Sequence, residues 1–96
     1  MKYRLRMADS AWTEIFHAKQ WYESQQFGCG KRFEDAVVRT VNLVLERPMM
    51  YPEYEFDARK AVVKDFPYLV LYRIVGDEVW IVAVYDGRQR GPQWRP

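Results

Sequence analysis

The chain is short of the residues that build covalent or metal frameworks. Among its 96 residues there is one cysteine, Cys29, and one histidine, His17. A lone thiol closes no internal disulfide and builds no cysteine cage for a metal. No apolar run reaches the ~20 residues that would span a bilayer. The opening Met1-Lys2-Tyr3-Arg4-Leu5-Arg6 alternates polar and apolar residues and has no signal-peptide h-region. A cytoplasmic protein without a membrane partner is therefore expected. Charge of one sign is also scarce: the net charge of +2 is too small to imply nucleic-acid binding by itself. There is no internal repeat, no low-complexity tract and no dividing linker, so residues 1–96 read as one domain. No Lys-Ser/Thr pair follows Gly28-Cys29-Gly30, so these glycines form no phosphate loop. Nothing in the sequence calls for a cofactor.

What is present is apolar and aromatic. The hydrophobic fraction is 49% and the aromatic fraction 17%, which fits a packed globule and argues against disorder. A chain of this length buries roughly 60–65% of its unfolded surface, an adequate core without excess. Charges are grouped: Glu53, Glu55 and Asp57 make an acidic segment, and Arg88, Arg90 and Arg95 leave the C-terminus basic.

Periodicity divides the chain into elements. Tyr3, Leu5 and Met7 alternate with Lys2, Arg4 and Arg6, the pattern of a half-buried strand over residues 2–7. Asp9 or Ser10 then offers an N-cap. Ala11, Ile15, Ala18 and Tyr22 recur at helical spacing, with Trp12 widening the stripe, and the helix should fade near Gln25-Gln26-Phe27. Gly28-Cys29-Gly30 breaks it. A second helix is expected from about Lys31 to Arg47, with Phe33, Val37, Val41 and Val44 on one face and Pro48 as its stop. Residues 49–56 read as a loop. Three strands follow, over 58–64, 68–75 and 78–85. Phe66-Pro67 marks a bend, and Gly76-Asp77 suits a type II′ hairpin. The expected fold is α+β, β-α-α-β-β-β: an N-terminal strand, a helical hairpin and an antiparallel meander, with the helices on one face of a curved sheet. Trp12 and Trp21 are expected to pack between helix and sheet. Cys29 has no base beside it in sequence and reads as inert.

The last third resembles the ParE/RelE superfamily of bacterial toxins from type II toxin–antitoxin systems, and the resemblance extends over nearly the whole chain. Its carriers are Trp21-Tyr22-Glu23, the connector from Gly28 to Phe33, Arg47-Pro48, Arg59, Phe66-Pro67-Tyr68 with Tyr72, Arg88-Gln89-Arg90, and Trp94-Arg95. The Phe-Pro-Tyr step is closer to the ParE branch. That branch implies a plasmid-stabilisation toxin that binds and poisons DNA gyrase and is neutralised by a cognate antitoxin. The implied target- or partner-binding residues are Arg59, Tyr68, Tyr72, Arg88, Arg90, Trp94 and Arg95. The antitoxin's tail is expected to fold on the toxin as an amphipathic helix, with the helical hairpin and the arginine-bearing sheet end as its surfaces.

The RelE branch implies instead a ribosome-dependent nuclease acting on messenger RNA. Metal-independent RNA cleavage needs a base, cations for the phosphorane and an acid for the leaving oxygen. Lys60, Lys64, Arg88 and Arg90 are the residues available for it, converging near one sheet face. Leu69 stands where that branch places an arginine, and Trp94 where it places an acid–base group. Binding rather than catalysis is accordingly the leading expectation, with an inactive antitoxin-binding descendant as a third reading. His17 lies on the first helix, away from the arginines in sequence, and reads as a helix-surface or helix-packing residue rather than a catalytic one.

Overall fold

The computed structural model of the chain describes residues 2–88. Four strands and two long helices occur in the order expected: β1 (Arg4–Met7), α1 (Asp9–Gln25), α2 (Cys29–Glu46), β2 (Arg59–Val62), β3 (Tyr68–Val75) and β4 (Glu78–Asp86). A short 3-10 turn, Pro48–Met50, follows α2, where proline halts the helix. The sheet order is β1-β4-β3-β2. The meander β2-β3-β4 is antiparallel, and β1 lies parallel to β4 at the edge. Both helices pack on one face of this curved, unclosed sheet.

The helical hairpin departs from expectation in two details. The cap of α1 is Ala8, without a side-chain hydrogen bond, rather than Asp9 or Ser10. Ala8 is held extended because its N–H donates to the Ile81 carbonyl at 2.9 Å, so strand pairing sets the helix start. Asp9 instead lies in the first turn, where a negative charge suits the helix dipole. Second, α2 begins at Cys29 and not at Lys31. Gly28 supplies the left-handed turn with φ of +86°. Glu23 at the end of α1 caps α2 across the turn: its carboxylate accepts from the N–H groups of Gly28 and Gly30 at 3.0 and 2.9 Å. Gly30 belongs to the helix, and a Cβ there would lie 2.7 Å from the Lys19 carbonyl oxygen. Its role is close helix–helix approach.

The main core joins Ala11, Ile15 and Ala18 of α1 and Phe33, Val37, Val41 and Val44 of α2 to the inner residues of the sheet. Tyr72 is fully buried there, and its hydroxyl donates to the Pro48 carbonyl at 2.5 Å. Phe66 and Tyr68 pack edge-on against Phe33 at 5.2 and 5.0 Å between ring centres, which ties the Phe-Pro-Tyr bend to the hairpin. Contrary to expectation, Trp12 and Trp21 are 58% and 56% exposed. The narrow inward stripe of α1 is filled by small residues, Ala11 and Ala18 with Ile15, and the indoles sit on its two flanks.

A β-bulge changes the parity of β4. Leu71 pairs with Ala83, but Tyr72 pairs with Ile81, so Val82 is an extra residue. Before it, Val79 and Ile81 face the helices. After it, Val84 does, while Ala83 and Tyr85 join a small cluster with Leu71 and Ala58 on the opposite face. Gly76 has φ of +61° and Asp77 is not in the left-handed region, in keeping with a II′ rather than a I′ hairpin.

Candidate functional site

The face of α1 that carries Glu14, His17, Ala18, Trp21 and Tyr22 borders a cavity of about 340 Å³. These positions fall at helical spacings of three and four, so one helix side presents them together. The opposite wall is Tyr68, at the start of β3, and Asp86, its register partner at the end of β4. Arg88 completes the rim. Asp86 faces the helices only because the Val82 bulge has reversed the alternation of β4.

Asp86 holds Arg88 through both atoms of its carboxylate. Arg88 Nε donates to Oδ1 at 3.0 Å, Nη2 donates to Oδ2 at 2.7 Å, and the Arg88 backbone N–H donates to Oδ1 at 2.9 Å. The Arg88 side chain is 70% exposed and that of Asp86 only 12%. The guanidinium is thus anchored along one edge and offers its Nη1 edge outward. Hydrogen bonding from Arg88 holds the Asp86 carboxyl below its ordinary range, and the carboxylate raises the guanidinium in return. Burial, and then the Asp86 charge, pushes the Tyr22 phenol up. Burial, and then Tyr22 and Asp86, does the same to Tyr68. Both phenols are therefore neutral hydroxyls at physiological pH.

The other expected residues are distributed elsewhere. Arg59 is internal bracing: its Nη1 donates to the carbonyls of Tyr51 and Met49 at 2.6 and 3.2 Å, and its Nη2 lies 3.4 Å from Glu53. Tyr72, being fully buried, offers no contact surface. Lys60 reaches over the Tyr54 ring at 4.9 Å, on the face away from the helices. Lys64 borders a separate polar groove with Arg32 and Asp35. The expected convergence of Lys60, Lys64 and Arg88 on one sheet face is not found. Leu69 pairs with Tyr85 on the side away from the helices. Arg90, Trp94 and Arg95 lie outside the described residues. Glu14, His17, Trp21, Tyr22 and Asp86 were not singled out for the site from sequence. The helical spacing of the first four was visible there, whereas the placement of Asp86 was not.

A second surface lies on the other flank of α1. Leu5, Met7, Trp12, Ile15, Val37, Val38 and Val41 line most of an apolar groove of about 280 Å³ between β1 and the two helices. Leu5, Trp12 and Val38 are exposed there.

The pocket offers groups for recognition, and Glu14 and His17 on its α1 wall are side chains of the acid–base type. Three aromatic rings, two hydroxyls and one oriented guanidinium form a recognition surface. Among the described residues, no helix is long and apolar enough to cross a membrane.

Comparison with known proteins accords with this architecture. A family model described as the ParE toxin of the type II toxin–antitoxin system, parDE, matches residues 5–91. Among curated proteins no sequence match is found. A solved chain of the chromosomal ParDE TA system from P. aeruginosa superimposes with a TM-score of 0.65 at 15% identity, covering 88% of this chain and 96% of that one. The E. coli toxin RelE, in a double arginine-to-alanine mutant in the free state, gives 0.57 at 17% identity, covering 91% of this chain and 85% of that one. At these identities the two structures establish a shared fold. The family match, which takes in both helices, the sheet from Leu5 onward and the Arg88 turn, establishes more: the chain belongs to the ParE toxin family of type II toxin–antitoxin systems.

Proposed function

We propose that this ParE-type toxin acts by binding rather than by cleavage, that its target is DNA gyrase, and that a cognate antitoxin neutralises it in the cytoplasm as part of a plasmid-stabilisation module. The observation that carries the reading is the Asp86–Arg88 pair at the rim of the aromatic pocket. It is an anchored cation beside Trp21 and Tyr68, with Lys60 and Lys64 lying elsewhere on the fold. Arg88 with Trp21 has the arginine–aromatic character of an interface hot spot. Arg90, Trp94 and Arg95, which lie outside the described residues, stay proposed target contacts on the family resemblance alone.

The antitoxin's place is the apolar groove beside Trp12 and Val38. An amphipathic helix would bury that surface, and β1, an edge strand among the described residues, could take an added strand. The likeness to a chain of a ParDE system supports this partner. Purified toxin should inhibit supercoiling by purified gyrase, and added antitoxin should restore it. Unimpaired supercoiling at toxin excess would exclude gyrase as the target. Message cleavage in ribosome-bound transcripts would then favour the nuclease reading, and harmless overexpression an inactive descendant.

A further inference from the structure

Among the described residues, the sheet face turned away from the helices is half covered. Residues 53–58 fold over one half, where Ala58 and Tyr85 are buried and Lys60 meets Tyr54. The other half carries a row set by strand register: Arg6 of β1, Trp80 of β4 and Arg73 of β3 are direct cross-strand partners. Direct partners project to the same side of a sheet. The Arg6 guanidinium lies 4.3 Å from the centre of the Trp80 ring. Glu78 holds the stack from below, 3.6 Å from Arg6 and accepting from the Trp80 indole N–H at 3.0 Å. Arg4 adds a third guanidinium, 3.2 Å from Asp77 and 3.4 Å from Glu78. Two carboxylates thus face three guanidiniums, leaving positive charge and many unused N–H donors. Arg73 Nε is sealed from solvent and has no hydrogen-bond partner among the described residues.

From this row we infer that the open half of the sheet binds the sugar–phosphate backbone of nucleic acid. The row crosses three neighbouring strands, a continuous track for an extended backbone. Its side chains are ordered in advance by the stack on Trp80, which lowers the entropy lost on binding. A guanidinium lying on an indole also presents a planar cationic face on which a base or sugar can rest, a feature that an acidic protein partner would not use. The face lies opposite the helical hairpin, so filling the apolar groove does not cover it. The inference stands independently of the gyrase reading, because it concerns the toxin and nucleic acid alone.

The test is fluorescence anisotropy with a labelled single-stranded DNA of about 20 nucleotides and its duplex, titrated with the full chain at several salt concentrations. Saturable binding is expected, with a log–log salt slope of about −2, as three phosphate contacts to a single strand produce. Arg6→Ala and, separately, Arg73→Met, which keeps the buried stem, should each weaken binding about tenfold and reduce the slope by about 1. Circular dichroism checks that each variant folds, and Arg4→Ala, at an exposed position, serves if either does not. Lys31→Ala, which removes an exposed cation from the helical side, should bind DNA as the parent does. Absent binding, binding indifferent to the Arg6 and Arg73 changes, or equal displacement by polyglutamate would overturn the proposal. The last outcome would assign the face to an acidic protein.

Discussion

Asp86 grips Arg88 along one edge of its guanidinium, at 3.0 and 2.7 Å, and so aims a cation across a pocket walled by aromatic rings. Asp86→Asn removes the charge but keeps the shape. It should weaken gyrase inhibition several-fold, and Arg88→Ala should weaken it further. The double variant should resemble Arg88→Ala, since Asp86 acts through Arg88. The measurement is the toxin concentration that halves supercoiling. Full inhibition by Arg88→Ala would remove this pair from the target surface.

The same pair dictates a pH dependence. The Asp86 carboxyl is depressed in the folded protein, so its contribution is complete above the ordinary carboxylate range and is lost as pH falls through the folded value. Glu23 behaves in the same direction, because the N–H groups of Gly28 and Gly30 hydrogen-bond its charged form. Thermal melts of Glu23→Ala should therefore show a lower Tm than the parent at neutral pH, with the difference closing under acid conditions. A constant difference across the acid range would show that Glu23 acts other than as a charged cap.

Tyr72 contributes an alkaline pH dependence. Burial pushes its phenol up to about 12. A raised phenol favours the folded state fully below its unfolded value near 10 and loses that contribution as pH rises toward the folded one. Tyr72→Phe leaves the buried Pro48 carbonyl without its donor and should cost about 1–3 kcal/mol in urea denaturation. Toxicity at permissive temperature should survive, since the residue is sealed from partners.

The two hairpin glycines should fail in different ways. Gly30→Ala drives a Cβ against the Lys19 carbonyl and should cost about 1–3 kcal/mol through displaced helices. At Gly28 a Cβ meets nothing, and Gly28→Ala should cost about 1–2 kcal/mol from its left-handed backbone alone. Asparagine, which tolerates that conformation, should rescue position 28 better than position 30. Equal rescue at both would refute the distinction.

Trp12→Ala and Val38→Lys should each lower antitoxin affinity about tenfold or more while sparing gyrase inhibition, because they lie on the flank of α1 remote from Arg88. Isothermal titration with the antitoxin reads this directly. Loss of gyrase inhibition with unchanged antitoxin binding would reverse the assignment of the two flanks.

Much of the fold was legible because its signals are local. The 3.6-residue recurrence of Phe33, Val37, Val41 and Val44, the Gly76-Asp77 turn and the stop at Pro48 each act within a few residues. The helix start at Ala8 was not legible, since a distant carbonyl, that of Ile81, holds it. Trp12 and Trp21 were misjudged because periodicity gives a side chain's bearing but not the width of the seam.

The sequence by itself determined the element order, the apolar faces and the family, all encoded in short-range spacing and chain order. Only the tertiary structure decided what the end of β4 does. One extra residue, Val82, reverses the alternation there and turns Asp86, not Tyr85, toward α1. Sheet parity depends on how many residues oppose one another across two strands, and no single strand contains that count. The separation of Lys60 from Arg88, and the meeting of Arg6, Trp80 and Arg73, depend on the same inter-strand register.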